Sequence, residues 1–132
     1  MKNRKRRRFF VFIFLLLFAG ACTAGGGQPT YTLPLQIELA VTPETVHVGQ
    51  RALIEAVVTQ GSDKVVDASE AIFEIAKKGE RNYEELAAKS KGDGTYAIEK
   101  TFTAAGTYTI KAKVTAQDLT AVSSQVIKVK EE

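Results

Sequence analysis

Gly106-Thr107-Tyr108-Thr109-Ile110-Lys111-Ala112-Lys113-Val114-Thr115 alternates apolar and polar side chains along its whole length. Successive side chains of a β-strand point to opposite faces. This order therefore sends Tyr108, Ile110, Ala112 and Val114 to a buried face and Thr109, Lys111, Lys113 and Thr115 into water. A helix would scatter the same residues around its circumference. The stretch is a strand covered on one side, entered through a turn at Ala105-Gly106, and it needs neighbours of the same period.

Such neighbours lie on both sides. Thr95 to Thr103 carries Tyr96, Ile98 and Phe102 on one side, with Lys100 interrupting the pattern. Before it, Gly92-Asp93-Gly94 is a hairpin signal that joins it to residues 83–89. Those residues (YEELAAK) hold helix-favouring Glu, Leu and Ala, but their flanking turns favour a short edge strand. Further upstream, Ala71, Phe73 and Ile75 mark one strand and Ala52, Ile54, Ala56 and Val58 another. Leu35, Ile37, Leu39 and Val41 mark the first, which stops at Thr42-Pro43-Glu44 because proline cannot donate to a ladder. A last strand over about 122–130 turns Ile127 and Val129 inward. About seven short strands joined by turns predict an all-β, immunoglobulin-like antiparallel sandwich over residues 34–132. Tyr108, just after a turn, is the candidate tyrosine corner of such a fold, and Tyr96 competes with it.

The residues before the sandwich read as an export signal. Lys2 to Arg8 is strongly basic, and Phe9 to Phe18 is an uncharged apolar run of ten. Ten is half of what a membrane-spanning helix requires, so a cleaved signal over residues 1–21 is expected. Ala19-Gly20-Ala21-Cys22 resembles the bacterial lipobox, with Ala19 where leucine is usual. That resemblance implies diacylglyceryl modification of Cys22, the chain's single cysteine, and anchoring at the extracytoplasmic face of the cell membrane. The alternative is ordinary secretion with a free thiol. Two acyl chains hold a protein on a bilayer where one does so only marginally. Residues 22–33, with three consecutive glycines and Pro29, read as a flexible tether reaching about 17 Å.

The net charge of +3 misleads. Six of the eighteen Lys and Arg lie in the signal and all fifteen acids lie beyond it, so the exported part carries twelve against fifteen, or −3. Nothing in that balance favours nucleic acid.

Residues 35–130 resemble the YtkA-like domain, an immunoglobulin-like module of bacterial envelope lipoproteins related to regions of FixG- and FixH-type proteins. The likeness rests on Thr42-Pro43-Glu44, Val48-Gly49, Val58-Thr59-Gln60-Gly61, Asp67-Ala68, Phe73-Glu74-Ile75, Gly94-Thr95-Tyr96, Phe102, Gly106-Thr107-Tyr108 and Val114-Thr115-Ala116. The resemblance implies a sandwich and a role in copper handling or respiratory-oxidase assembly. Members often carry one histidine on the strand matching residues 106–115 and another, followed by Met-Pro, just after it. Lys113 and Thr120 stand at those places here, and no Met-Pro follows.

Chemistry is otherwise sparse. Copper sites need imidazole, thiolate or thioether ligands, and beyond the signal the chain offers His47, Cys22 and no methionine. No metal site and no cofactor are expected. His47 reads as a solvated turn residue. No strained G-x-S-x-G turn accompanies it, so no catalytic residues are assigned. Glu84-Glu85 and Glu131-Glu132 read as solvated acids, and Asp93 as a turn former without calcium-ligand spacing. Lys77, Lys78, Arg81, Lys89 and Lys91 are expected to gather at one turn and edge, and Tyr83 is an exposed aromatic. The expected protein is a noncatalytic lipoprotein whose module binds an envelope protein. An accessory role in copper handling, or a wall-polymer or adhesive module, are the alternatives.

Overall fold

The structure is a computed structural model and describes residues 32–132. Cys22, the signal and nearly all of the tether lie outside the described residues. Ten strands build two sheets. The first runs β1 (Leu35–Thr42), β3 (Arg51–Gln60), β8 (Thr95–Thr101), β7 (Lys89–Ser90), with β4 (Asp63–Lys64) on the end of β3. The second runs β2 (Val46–His47), β10 (Leu119–Lys130), β9 (Gly106–Ala116), β5 (Glu70–Lys77), β6 (Tyr83–Ala87). All pairings are antiparallel except β2 with β10. The seven strands of five or more residues are the ones that alternation predicts. The other three have two residues each, too few to leave a periodic trace.

The inward faces make the core. Phe73, Phe102, Ile54, Ile110, Val46, Val58 and Val114 are all under 2% exposed. Each such side chain contributes about 1.5–3 kcal/mol relative to exposure. Two tyrosines secure the places where the chain crosses between sheets. The Tyr96 hydroxyl donates to the Val65 carbonyl at 2.9 Å and accepts from the Ala68 amide at 3.0 Å, fixing the crossing from β4 to β5. The Tyr108 hydroxyl donates to the Ala104 carbonyl at 2.7 Å, fixing the crossing from β8 to β9. Its ring lies 4.7 Å from that of Phe102.

Three local readings change. Residues 83–89 are extended but do not form one hairpin arm. Tyr83–Ala87 pairs with β5 in the second sheet, the Ala88 amide donates to Ala71, and only Lys89-Ser90 pairs with β8. The last strand begins at Leu119 rather than near 122, because Gln117 and Asp118 both adopt positive φ (50° and 66°) and close a two-residue hairpin. Gln-Asp is not the Asn-Gly signature of that turn, so the sequence does not announce it. Lys100, which breaks the alternation of β8, does point inward. Its stem follows the core, its ammonium pairs with Glu84 of β6 at the rim, and it sits 5.9 Å from the Phe102 ring centre.

Candidate functional site

Register defines the outer face of the second sheet row by row. Val122 lies beside Lys113, Ile72 and Ala87; Ser124 beside Lys111, Glu74 and Glu85; Val126 beside Thr109, Ala76 and Tyr83. Lys111 and Glu74 approach to 3.9 Å in the middle row. The flanking rows end in exposed apolar side chains: Val122 at 56%, Val126 at 62% and Tyr83 at 57%. Alternation sends these residues away from the core because their neighbours Ile127, Phe73 and Ile110 fill it. The face thus exposes two valines at its β10 margin and a tyrosine at its β6 margin, around a charged centre of Lys111, Lys113, Glu74 and Glu85.

The two positions at which the family resemblance places histidines fall on this same face. Thr120 pairs with Thr115, two residues along β9 from Lys113, which makes Thr120 and Lys113 diagonal neighbours. The Thr120 hydroxyl is 3.0 Å from that of Thr115. Imidazoles there would converge; an ammonium and a threonine hydroxyl make no copper site. His47 cannot supply what is missing. It pairs with Lys130, roughly 34 Å along β10 from Thr120 by strand rise. It sits on a short strand rather than in a turn, with Nδ1 3.3 Å from the Glu131 carbonyl. Among the described residues no group of three or more His, Cys, Asp or Glu could hold a metal ion. The donors among the described residues therefore do not fit copper.

The remaining residues singled out by sequence are dispersed. Lys77, Lys78 and Arg81 sit at one end of β6 and Lys89 and Lys91 beyond the other, with the five residues of that strand between them. Lys91 is moreover paired with Glu55 at 3.0 Å. The expected basic cluster is thus split by the switch of sheets at Ala88. An open groove of about 610 Å³ lies at that switch, lined by Leu53, Leu86, Lys89, Lys91, Ile98 and Glu99. Its lining holds no imidazole or thiol. Glu84 is held by Lys100, and Glu85 lies on the outer face. Asp93 accepts from the Thr95 amide at 3.2 Å. Hydrogen bonds from the Thr95 side chain and amide, with some help from Lys64, hold its carboxyl below the usual 3.8.

Strand order β1-β3-β8-β7 against β2-β10-β9-β5-β6, crossed by a tyrosine at the start of β9, defines an immunoglobulin-like sandwich. The YtkA-like family matches residues 33–113, more than half of the chain, and the chain belongs to that family. The match ends at Lys113, so Thr120 and β10 lie beyond it. No curated protein matches. Among solved structures, the soluble domain of PmoD from Methylocystis sp. ATCC 49242 (Rockwell) is similar with a TM-score of 0.51. It is 14% identical, over 70% of this chain and 90% of that one. An engineered protein is similar with a TM-score of 0.51 and 17% identity, over 74% of this chain, which spans only 20% of that chain's length. At such identities the likeness concerns the fold alone.

Proposed function

We propose that this chain is a noncatalytic lipoprotein, anchored through Cys22 at the extracytoplasmic face of the cell membrane. In this reading its YtkA-like module binds an envelope protein through the outer face of the second sheet. One observation carries it: the face on which the family resemblance places copper ligands holds Lys113 and Thr120 instead, beside the exposed Val122, Val126 and Tyr83. A face without imidazoles at those two positions, which exposes valine and tyrosine at its margins, is suited to docking.

The second reading, an accessory role in copper handling or oxidase assembly, is favoured by family membership, without a complete metal site in this chain. A single set of measurements separates the two. Cys22→Ser should move the chain from the membrane fraction to the soluble one. A photo-reactive residue at position 113 should cross-link a defined envelope protein where one at position 38, on the other sheet, does not. Titration with Cu(I) and Cu(II) should reveal no stoichiometric site. A tight copper site would overturn the first reading, and retention of the Cys22→Ser chain on membranes would overturn the anchor.

A further inference from the structure

The second sheet ends on an unusual edge. On one side β10 pairs with β9 from Leu119 to Val129; on the other, β1 packs nearby but the only strand hydrogen-bonded to it is Val46-His47, opposite Val129-Lys130. Among the described residues, the edge from Thr120 to Ile127 has no backbone partner. The Val48 amide donates to the Lys130 carbonyl, so the even-numbered residues aim their backbone groups away from β9. Alternation carries this to Val122, Ser124 and Val126, each presenting one free N–H and one free C=O. From Leu119 to Ile127 there is neither a charge nor a proline, the usual guards of an exposed edge.

We propose that this edge pairs with the same edge of a second copy, antiparallel about a two-fold axis through Ser124. The geometry supports that occupant over an unrelated strand. With Ser124 opposite itself, Val122 faces Val126 of the second copy and Val126 faces Val122, each a pair of even-numbered residues able to exchange two hydrogen bonds. Three such pairs make six bonds. Of the registers that this parity allows, this one alone sets both valines of each copy on valine across the outer face, where both are now more than half exposed. It also brings Asp118 of each copy to the end of the strand that carries Lys130 of the other, so opposite charges meet at both ends. The strand turns away at Asp118 where the second copy's β2 begins, so the paired length matches the free edge. A two-fold, self-complementary contact closes on itself, and the joined sheet then ends at each side on the short, charged β6. The inference does not depend on which protein the outer face binds.

The test uses the full chain in detergent. In a Cys22→Ser background, Ser124→Cys should form a covalent dimer under mild oxidation, and Tyr83→Cys on the opposite edge should not. With Cys22 retained, Val122→Lys together with Val126→Lys should lose the dimer in sedimentation measurements while the resulting monomer keeps the β-sheet circular dichroism of the parent chain, because neither side chain is part of the core. A chain that stays monomeric at every concentration overturns the proposal. So does a dimer that survives the two lysines, or cross-linking no greater at position 124 than at position 83.

Discussion

The second sheet has two outer strands, β6 and β10, and they differ in how they meet water. β6 is five residues long, carries Glu84 and Glu85, is flanked by Lys77, Lys78 and Arg81, and leaves the sheet at Ala88. β10 is twelve residues long, and its first nine are uncharged. Short, charged and interrupted edges resist pairing; long neutral ones invite it. The first sheet follows the pattern of β6, since β1 carries Glu38 and lies between Pro34 and Pro43. The contrast teaches that a sandwich can guard most of its edges and leave one open.

What anchors the guarded edge is its inward face, and the largest expected effect tests that. Phe73, 1% exposed, pairs with Leu86 of β6 and fills the core beneath it. Phe73→Ala should cost about 3–5 kcal/mol in urea unfolding, from lost burial and the cavity left behind. Val126→Ala on the outer face of β10 should stay within about 0.5 kcal/mol. Equal costs would erase the distinction between the two regions.

A middle effect concerns the crossing that delivers β5, and with it β6, to the second sheet. Tyr96→Phe removes a hydroxyl that serves both Val65 and Ala68, and should cost about 1–3 kcal/mol. Tyr108→Phe removes one bond, to Ala104, and should cost about 0.5–1.5 kcal/mol. The reverse order would mean that the crossing into β9 is the more tightly held of the two.

The smallest effect lies in the turn between β7 and β8. Folding lowers the Asp93 pKa, so its contribution to stability is present above the unfolded value near 3.8 and is lost as pH falls through the lowered folded value. The thermal midpoint of Asp93→Asn, compared with the parent chain across that acid range, should lack this component. A parallel dependence in both chains would remove Asp93 from the account.

Much of the fold was legible because its signal is local. The alternation of residues 106–115 is the burial pattern of β9, and the glycines at 61, 92 and 94 stand at positive φ where turns were expected. Gly94 is also pressed by its surroundings: an added Cβ would come within 2.9 Å of Lys64 Cβ. The Gln117-Asp118 turn stayed hidden because glutamine seldom leads such a turn and no glycine follows to mark it, although Asp118 tolerates its positive φ. Lys100 looked like an error in the pattern because its partner, Glu84, belongs to another sheet. Of the candidate site, the residues at 113 and 120 could be named from sequence, but not the face they share.

Sequence alone determined which residues face inward on each strand, since a period of two reports a face directly. Only the tertiary structure decided which strands are neighbours. It sent residues 83–87 to one sheet and 89–90 to the other, set Lys113 and Thr120 side by side, and left β10 with an open edge. Pairing depends on contacts between residues far apart in the chain, and no local pattern encodes the partner.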